Sequence, residues 1–353
     1  MSRRLVDLRS RFDGWILLTD PSDVRWVSGF SGSNGWVLVG PDTATLLTDA
    51  RYTERAMTET AGRDVEVVVC VDRSSTIATI RARAAENPVA CRPSAITHET
   101  WTNLESAGVR LVPHDSSESR RSKDSDAIDT IRRAADIASR ALMDVLPFVV
   151  PGVTEREIRI QLDDRMRDLG ADRPSYDTIV AAGPDNSAVP HHSPADYRLD
   201  NGDLVVIDVG AEVDGFHSDM TRTFVVGDPS DLVREWYEAL AGAQREGVEA
   251  VRAGVSAREI DAVCRRALGD LADFFVHGTG HGVGLDIHEE PFLNRSSNSF
   301  LVEGDVVTIE PGLYRKGTGG MRIEDLLVVR NDSSENLTLV PKDLTCLPSR
   351  PTI

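Results

Sequence analysis

Apolar positions along the first third of the chain fall in short runs separated by turn-forming and charged residues. Residues 15–18, 36–39, 45–47 and 65–71 are β-branched, aromatic or leucine-rich runs of strand length. Gly40, Pro41 and Asp42 lie between the second and third runs and predict a hairpin turn. Stretches 51–61 and 76–86 have helical composition, so residues 1–118 read as a small α/β domain. No His, Cys or acidic cluster converges there, which makes its expected role structural. Between 116 and 126 the apolar period gives way to Ser, Arg, Lys and Asp. That change predicts a linker over 119–126 and a second domain over 127–353.

In the second domain the period becomes helical. Ile128, Ile131, Ala135, Ala138, Leu142 and Val145 recur at spacings of three and four until Pro151 and Gly152 stop the pattern. Thr154 and Glu157 have capping-box spacing and start a second helix that ends near Gly170. A loop rich in Gly, Pro, Asn and His over 183–194 leads to strands at 204–208 and 221–226, then to a long helix over 232–252. The pattern then repeats. GVTEREI at 152–158 recurs as GVSAREI at 254–260, and GDLVVIDVG at 202–210 recurs as GDVVTIEPG at 304–312, both offset by 102 residues. Two matches at one offset predict two copies of a helix-helix-strand unit. Two such long copies argue against a solenoid and for a pseudo-two-fold domain. Equivalent strands would meet at the axis, with helices on the other face of the sheet.

The repeat places carboxylates at related positions. Asp208 aligns with Glu310, each closing an apolar strand, while Asp219 precedes TRTFVV and Glu324 precedes LLVV. A carboxylate at the end of a buried strand is costly without a cationic partner. Several in one pocket raise one another's pKa until some protonate. For any single acid, a strand-end cap or an ion pair with Arg222 or Arg322 is a sufficient account. For four at related positions, two divalent cations account for the charge better. The histidines His277, His281 and His288 lie in HGTGHGVGLDIHEEP, residues 277–291, among Gly278, Gly280, Gly282 and Gly284. Each glycine costs about 1 kcal/mol of helix propensity, so this stretch is a loop or a strained strand edge suited to close backbone approach. His281 would add a nitrogen to an otherwise all-oxygen site, a donor set that suits Mn²⁺ or a similar borderline ion.

Composition narrows the partners. The chain has 353 residues, 41% of them hydrophobic, enough for two domains with cores of their own. With 57 acidic against 39 basic residues and a net charge of −18, neither nucleic acid nor an anionic membrane is an expected partner. Cys70, Cys91, Cys264 and Cys346 are scattered without a C-x-x-C pair, which predicts reduced thiols and a cytoplasmic protein. The N-terminal MSRRLVDLRSRFDGW has no apolar core, and no run approaches the roughly 18 apolar residues of a membrane span. Neither secretion nor membrane insertion is therefore expected.

Several motifs now carry a resemblance: IDVG at 207–210, SDMTRTF at 218–224, the histidine stretch at 277–291, TIEPGLY at 308–314 and RIED at 322–325. Over nearly its whole length the chain resembles the Xaa-Pro peptidases, prolidase and aminopeptidase P, of the dinuclear pita-bread metallopeptidases. The resemblance implies an α/β N-terminal domain of the creatinase type, followed by an α+β pita-bread catalytic domain with an internal pseudo-two-fold repeat. It implies five ligands, Asp208, Asp219, His281, Glu310 and Glu324, holding two divalent ions, Mn²⁺ with Co²⁺ or Zn²⁺ as alternatives. Asp219 and Glu324 would bridge the ions, Asp208 would serve one, and His281 and Glu310 the other. A bridging hydroxide would attack the scissile carbonyl, with Glu310 as general base and then acid. His288 would touch the substrate or its oxyanion, and His191, in VPHHSP, matches a second substrate-facing histidine. Arg322, two residues before Glu324, would orient the ligands.

Other positions stay open. His192 could take the place of His191, although the spacing favours His191. His277 is either a hydrogen-bonding loop residue or a catalytic one. His217 reads as a solvent-edge histidine rather than a further ligand, and His98 and His114 lie outside the motifs. Phe292 follows Pro291 where some prolidases carry an arginine that holds a dipeptide carboxylate, and Arg295 lies three residues on. The implied activity is hydrolysis of the Xaa-Pro bond of dipeptides or short peptides by a homodimer. The alternatives are an aminopeptidase of the same fold with broader specificity and a catalytically silent peptide-binding module. The α/β domain ahead of the repeat disfavours methionine aminopeptidase, and the complete ligand set disfavours the silent module.

Overall fold

The computed structural model describes residues 3–349, which form two compact units divided between Arg120 and Arg121. The first unit is built on a six-stranded sheet. Trp15–Leu18 pairs antiparallel with Gly35–Val39, which pairs antiparallel with Ala44–Asp49. Between the last two the predicted turn forms, the Gly40 N–H donating to Thr43 O at 2.7 Å. Glu66–Cys70, Val89–Cys91 and Leu111–Pro113 join in parallel. Ile77, Ile80 and Ala84 of the helix Arg73–Ala84 pack with Leu17, Leu38, Leu47 and Val89 of the sheet. The helix Arg3–Arg11 and the strand Val89–Cys91 escape the sequence pattern for a simple reason. The helix buries only Leu5 and Leu8, and the strand is three residues long, so neither shows a period.

The second unit holds the repeat. Its first helix, Ser125–Val145, starts before the apolar period because Asp124 caps it, accepting from the Ala127 N–H at 3.0 Å. Just upstream, the polar stretch is bound into this unit: Arg121 pairs with Asp305 at 2.7 Å, and buried Lys123 pairs with Glu289. The Thr154–Glu157 capping box forms as predicted and opens the helix Glu155–Asp168. Copy one continues with strands Leu204–Asp208 and Thr221–Val226. Copy two runs through helices Asp231–Ala250 and Ala257–Leu268 to strands Val306–Ile309 and Asp325–Val329.

Each copy buries its helices on its own sheet. Ile137, Leu142, Ile158 and Leu162 pack with Val205, Ile207 and Phe224. Trp236, Leu240, Ile260 and Cys264 pack with Val307, Ile309 and Leu327. Full burial of each such side chain is worth about 1.5–3 kcal/mol. In both copies the two strands are antiparallel, with Asp208 opposite Thr221 and Ile309 opposite Asp325. The two sheets meet along one seam, as the repeat requires. There the Glu324 N–H donates to Thr221 O at 3.1 Å, and the Arg322 N–H donates to Thr223 Oγ1 at 2.9 Å. Among the described residues, no helix is long and apolar enough to cross a membrane.

Candidate metal centre

The acids are delivered by strand ends. Asp208 closes Leu204–Asp208, Glu310 follows Val306–Ile309, and Glu324 immediately precedes Asp325–Val329. Asp219 sits two residues before Thr221–Val226. His281 is the central residue of the short strand Gly280–Gly282, which pairs with the Val306–Ile309 strand through Gly282 and Val307. Proximity explains the glycines on either side. A Cβ on Gly280 would lie 2.0 Å from Thr308 O, and one on Gly282 would lie 2.4 Å from Glu290 O. Only glycine lets this strand lie close enough to carry His281 to the acids.

Asp219, His281 and Glu324 are all buried, and each places a donor atom within 4.8 Å of the others. His281 Nε2 lies 3.5 Å from Asp219 Oδ2 and 3.6 Å from Glu310 Oε1. Its Nδ1 lies 3.1 Å from Gly282 O. With Nδ1–H donating to that carbonyl, the Nε2 lone pair faces the carboxylates. Asp208 is held from its far side, Arg322 Nη2 donating to Oδ2 at 2.6 Å. Tyr176 Oη bonds Asp208 Oδ1 and lies 2.5 Å from Asp219 Oδ1. Thr221 Oγ1 donates to Glu324 Oε2 at 2.7 Å.

Electrostatics decide what this arrangement suits. Burial, and then Asp208, hold the Asp219 carboxyl well above its ordinary range. Burial, and then Asp219, do the same to Glu324, and burial also raises Glu310. The His281 imidazole is pushed down by burial and is therefore neutral. Carboxylates that repel one another, together with a neutral imidazole lone pair, form a donor set for divalent cations, so the residues fit metal ions. Ion pairing with arginine reaches two acids of the four through a single guanidinium, with Arg322 2.6 Å from Asp208 and 4.0 Å from Glu310, and among the described residues it leaves Asp219 and Glu324 without a cation. Arg222 pairs with Asp325 at 2.8 Å instead.

Residues 129–331 match the model of metallopeptidase family M24, and residues 7–121 match the creatinase/prolidase N-terminal domain. The chain belongs to metallopeptidase family M24. It is 36% identical to the uncharacterized peptidase YqhT of Bacillus subtilis, over 98% of this chain and 100% of that protein. A solved Xaa-Pro dipeptidase from Bacillus anthracis superposes with a TM-score of 0.92 at 35% identity, covering 98% of this chain and 99% of that one. An X-Pro aminopeptidase from Thermotoga maritima MSB8 gives 0.89 at 31% identity, covering 97% and 100%. The expected architecture, a creatinase-type N-terminal domain and a pita-bread catalytic domain, is therefore the fold of this M24 member, and it is a metal-dependent peptidase.

In this M24 centre the histidines separate by environment. His288 is exposed, its ring edge-on to His281 with centroids 4.4 Å apart. His191 is exposed, whereas His192 turns inward onto the buried Glu155, with Nε2 2.8 Å from Oε2. His277 Nε2 lies 3.0 Å from Tyr314 Oη, which accepts from Arg322 Nη1 at 2.8 Å. His277 thus ends a chain of hydrogen bonds that runs through Tyr314 and Arg322 to Asp208, and burial pushes the Tyr314 hydroxyl up to about 12. His217 corrects the sequence expectation of a solvent-edge position. It is buried, and its backbone N–H donates to Gly284 O at 2.9 Å, because the strand Phe216–His217 tucks beneath the histidine loop.

Tyr176 is the functional candidate that the motifs missed. It sits in PSYDTIV, outside every repeated segment, and no local period marks a tyrosine whose partners lie 32 and 43 residues away. One hydroxyl proton cannot serve Asp208 and Asp219 at once, so the bridge fixes their spacing and leaves the pair short of positive charge. Removing the hydroxyl in Tyr176→Phe is expected to weaken metal affinity by roughly 10–100-fold. Competition against a chelator measures this, and an unchanged affinity would show that the bridge does not hold the ligands.

Proposed function

We propose that this peptidase hydrolyses the bond between an N-terminal residue and a following proline in dipeptides or short peptides. The observation that carries the reading is the buried Asp219, His281 and Glu324 cluster with Glu310 beside it. Proline as the second residue is the specificity named for the relatives from Bacillus anthracis and Thermotoga maritima. Asp208, Asp219, His281, Glu310 and Glu324 would hold two divalent ions, Mn²⁺ by the oxygen-rich donor set, with Co²⁺ or Zn²⁺ as alternatives. Bound there, such ions lower the pKa of water and polarise a carbonyl oxygen.

The protein's own groups supply the rest. Glu310 keeps 17% of its side-chain surface exposed against 7% for Asp219, so it is the acid an incoming substrate meets. With its pKa raised by burial, it can take the proton of the nucleophile and return it to the departing amine nitrogen. His288, exposed beside His281, donates to the substrate or to the developing oxyanion. His191 faces the substrate from the loop before the strand Leu204–Asp208. Arg322, held by Thr221 Oγ1 at 2.9 Å, keeps Asp208 aimed at the centre. The free cysteines support a cytoplasmic location, with three of the four buried, and a homodimer follows from the resemblance.

Chain length of the substrate is the second question, and Phe292 bears on it. This residue is 38% exposed, and its phenyl ring offers no charge to a peptide's terminal carboxylate. Aminopeptidase action on longer peptides is therefore the favoured form of the activity. With the metal-loaded enzyme, Xaa-Pro-Yaa tripeptides are expected to be cleaved at least as fast as Xaa-Pro dipeptides, and Xaa-Ala peptides more slowly than either. Faster cleavage of Xaa-Ala than of both proline series would remove the proline reading.

A further inference from the structure

We infer that Glu155, together with His192, is a positioning residue that holds the loop carrying His191 and decides which of the two adjacent histidines faces the substrate. The inference rests on the reading of His191 given above. Glu155 is fully buried at the first position of the helix Glu155–Asp168. Its side chain accepts four hydrogen bonds, all from one segment. Oε1 takes the Ala182 N–H at 2.7 Å and Asn186 Nδ2 at 3.0 Å. Oε2 takes the Ala195 N–H at 2.8 Å and faces His192 Nε2 at 2.8 Å. One carboxylate thus gathers the end of the strand Ile179–Ala182, the short helix after it and the loop beyond.

The consequence falls on His191. On one side, Arg322 Nη1 donates to Pro190 O at 2.9 Å, and the same guanidinium holds Asp208. On the other side, His192 is drawn inward to Glu155. A residue clamped at both neighbours has little freedom of its own, and His191 is left pointing outward. The internal repeat marks Glu155 independently. Its counterpart in the second copy is Ala257, which also opens a helix and is buried, so a helix start in this fold does not require the acid. Burying a carboxyl group without a packing need is costly, and here its bonds are spent on the histidine loop of the first copy alone.

The test is a double-mutant cycle in the metal-loaded full-length enzyme. Glu155→Gln keeps the shape, but its amide nitrogen would face two donors. It is expected to lower kcat/KM by about tenfold, mainly through KM, with metal content unchanged. His191→Ala should also lower kcat/KM, and adding Glu155→Gln to it should lower it no further, because the acid acts through that histidine. Additive losses, or a Glu155→Gln enzyme with wild-type KM, would overturn the inference while leaving the His191 reading intact. A fully active His191→Ala would overturn both. If Glu155→Gln fails to fold, His192 decides. His192→Ala should show the same non-additivity with His191→Ala, and His192→Gln, which keeps a donor for Glu155, should recover most of the loss. A wild-type kcat/KM in His192→Ala would overturn the inference.

Discussion

Glu310→Gln is expected to lower kcat by roughly 10³-fold while the fold is retained. The amide matches the carboxylate in volume, but it cannot accept the nucleophile's proton or pass one to the leaving amine. The backbone at this position is placed independently of the side chain, since the Glu310 N–H donates to Thr279 O at 2.8 Å and Ile309 pairs with Asp325. Loss of turnover would therefore report on chemistry rather than on unfolding. Glu310 Oε1 also lies 3.6 Å from His281 Nε2, so the amide is expected to weaken metal binding. Rates are accordingly compared at saturating metal, with metal content measured on the same samples and the fold checked by circular dichroism. Wild-type kcat under those conditions would remove Glu310 as the proton carrier.

Some of this centre is visible in the sequence because it breaks a local rule. Asp208 and Glu310 end runs that are otherwise apolar, and a charged residue there stands out. The glycines around His281 stand out because four in one short stretch leave no helix to form. Both signals are local, and in the structure His281 Nε2 lies 3.6 Å from Glu310 Oε1, on a strand that only glycine lets approach so closely. The residues that escaped notice act over distance. Tyr176 meets Asp219 across 43 positions, Glu155 meets His192 across 37, and Arg121 meets Asp305 across 184. Their own neighbourhoods look ordinary: a tyrosine in a polar loop, a glutamate in a first helical turn, an arginine in a charged stretch. His217 looks solvent-edged in sequence for the same reason, because its burial comes from the loop folded over it rather than from its neighbours in sequence.

The repeat was also more regular in sequence than the centre is in space. Asp208 and Glu310 keep the offset of 102 residues, but Asp219 and Glu324 do not, and the strand registers differ accordingly. Asp208 lies opposite Thr221, and it is Thr221 that bonds Glu324 from the other copy. Tyr176 ties together two acids of the first copy. The second copy contributes His281 beside Glu310 instead. A two-fold scaffold thus carries a centre whose halves have different chemistry, one side held by arginine and tyrosine and the other by an imidazole.

Asp219→Asn is expected to lower metal content and to change stability in opposite directions with and without metal. In the metal-free protein, burial and Asp208 raise the Asp219 pKa, and burial and Asp219 raise that of Glu324. A carboxyl group with a folded pKa above its unfolded value of about 4 binds protons more tightly when folded. It therefore favours folding at low pH, and that contribution is lost as pH rises toward the folded pKa. Chelated wild-type protein should thus lose stability between about pH 4 and neutrality. The substitution removes one of these groups and one of the charges that raise Glu324. At neutral pH the chelated variant should melt above the chelated wild type by a few degrees, since about 1 kcal/mol moves the midpoint by ~2–4 °C in a domain of this size. With metal present the order should reverse, because ions that bind only the folded state stabilise it in proportion to their affinity, and the wild type binds them more tightly. Thermal unfolding with and without chelator at two pH values, together with metal analysis, reads all of these effects. An unchanged metal stoichiometry, with the same order of stability in both conditions, would show that Asp219 repels its neighbours without serving as a ligand.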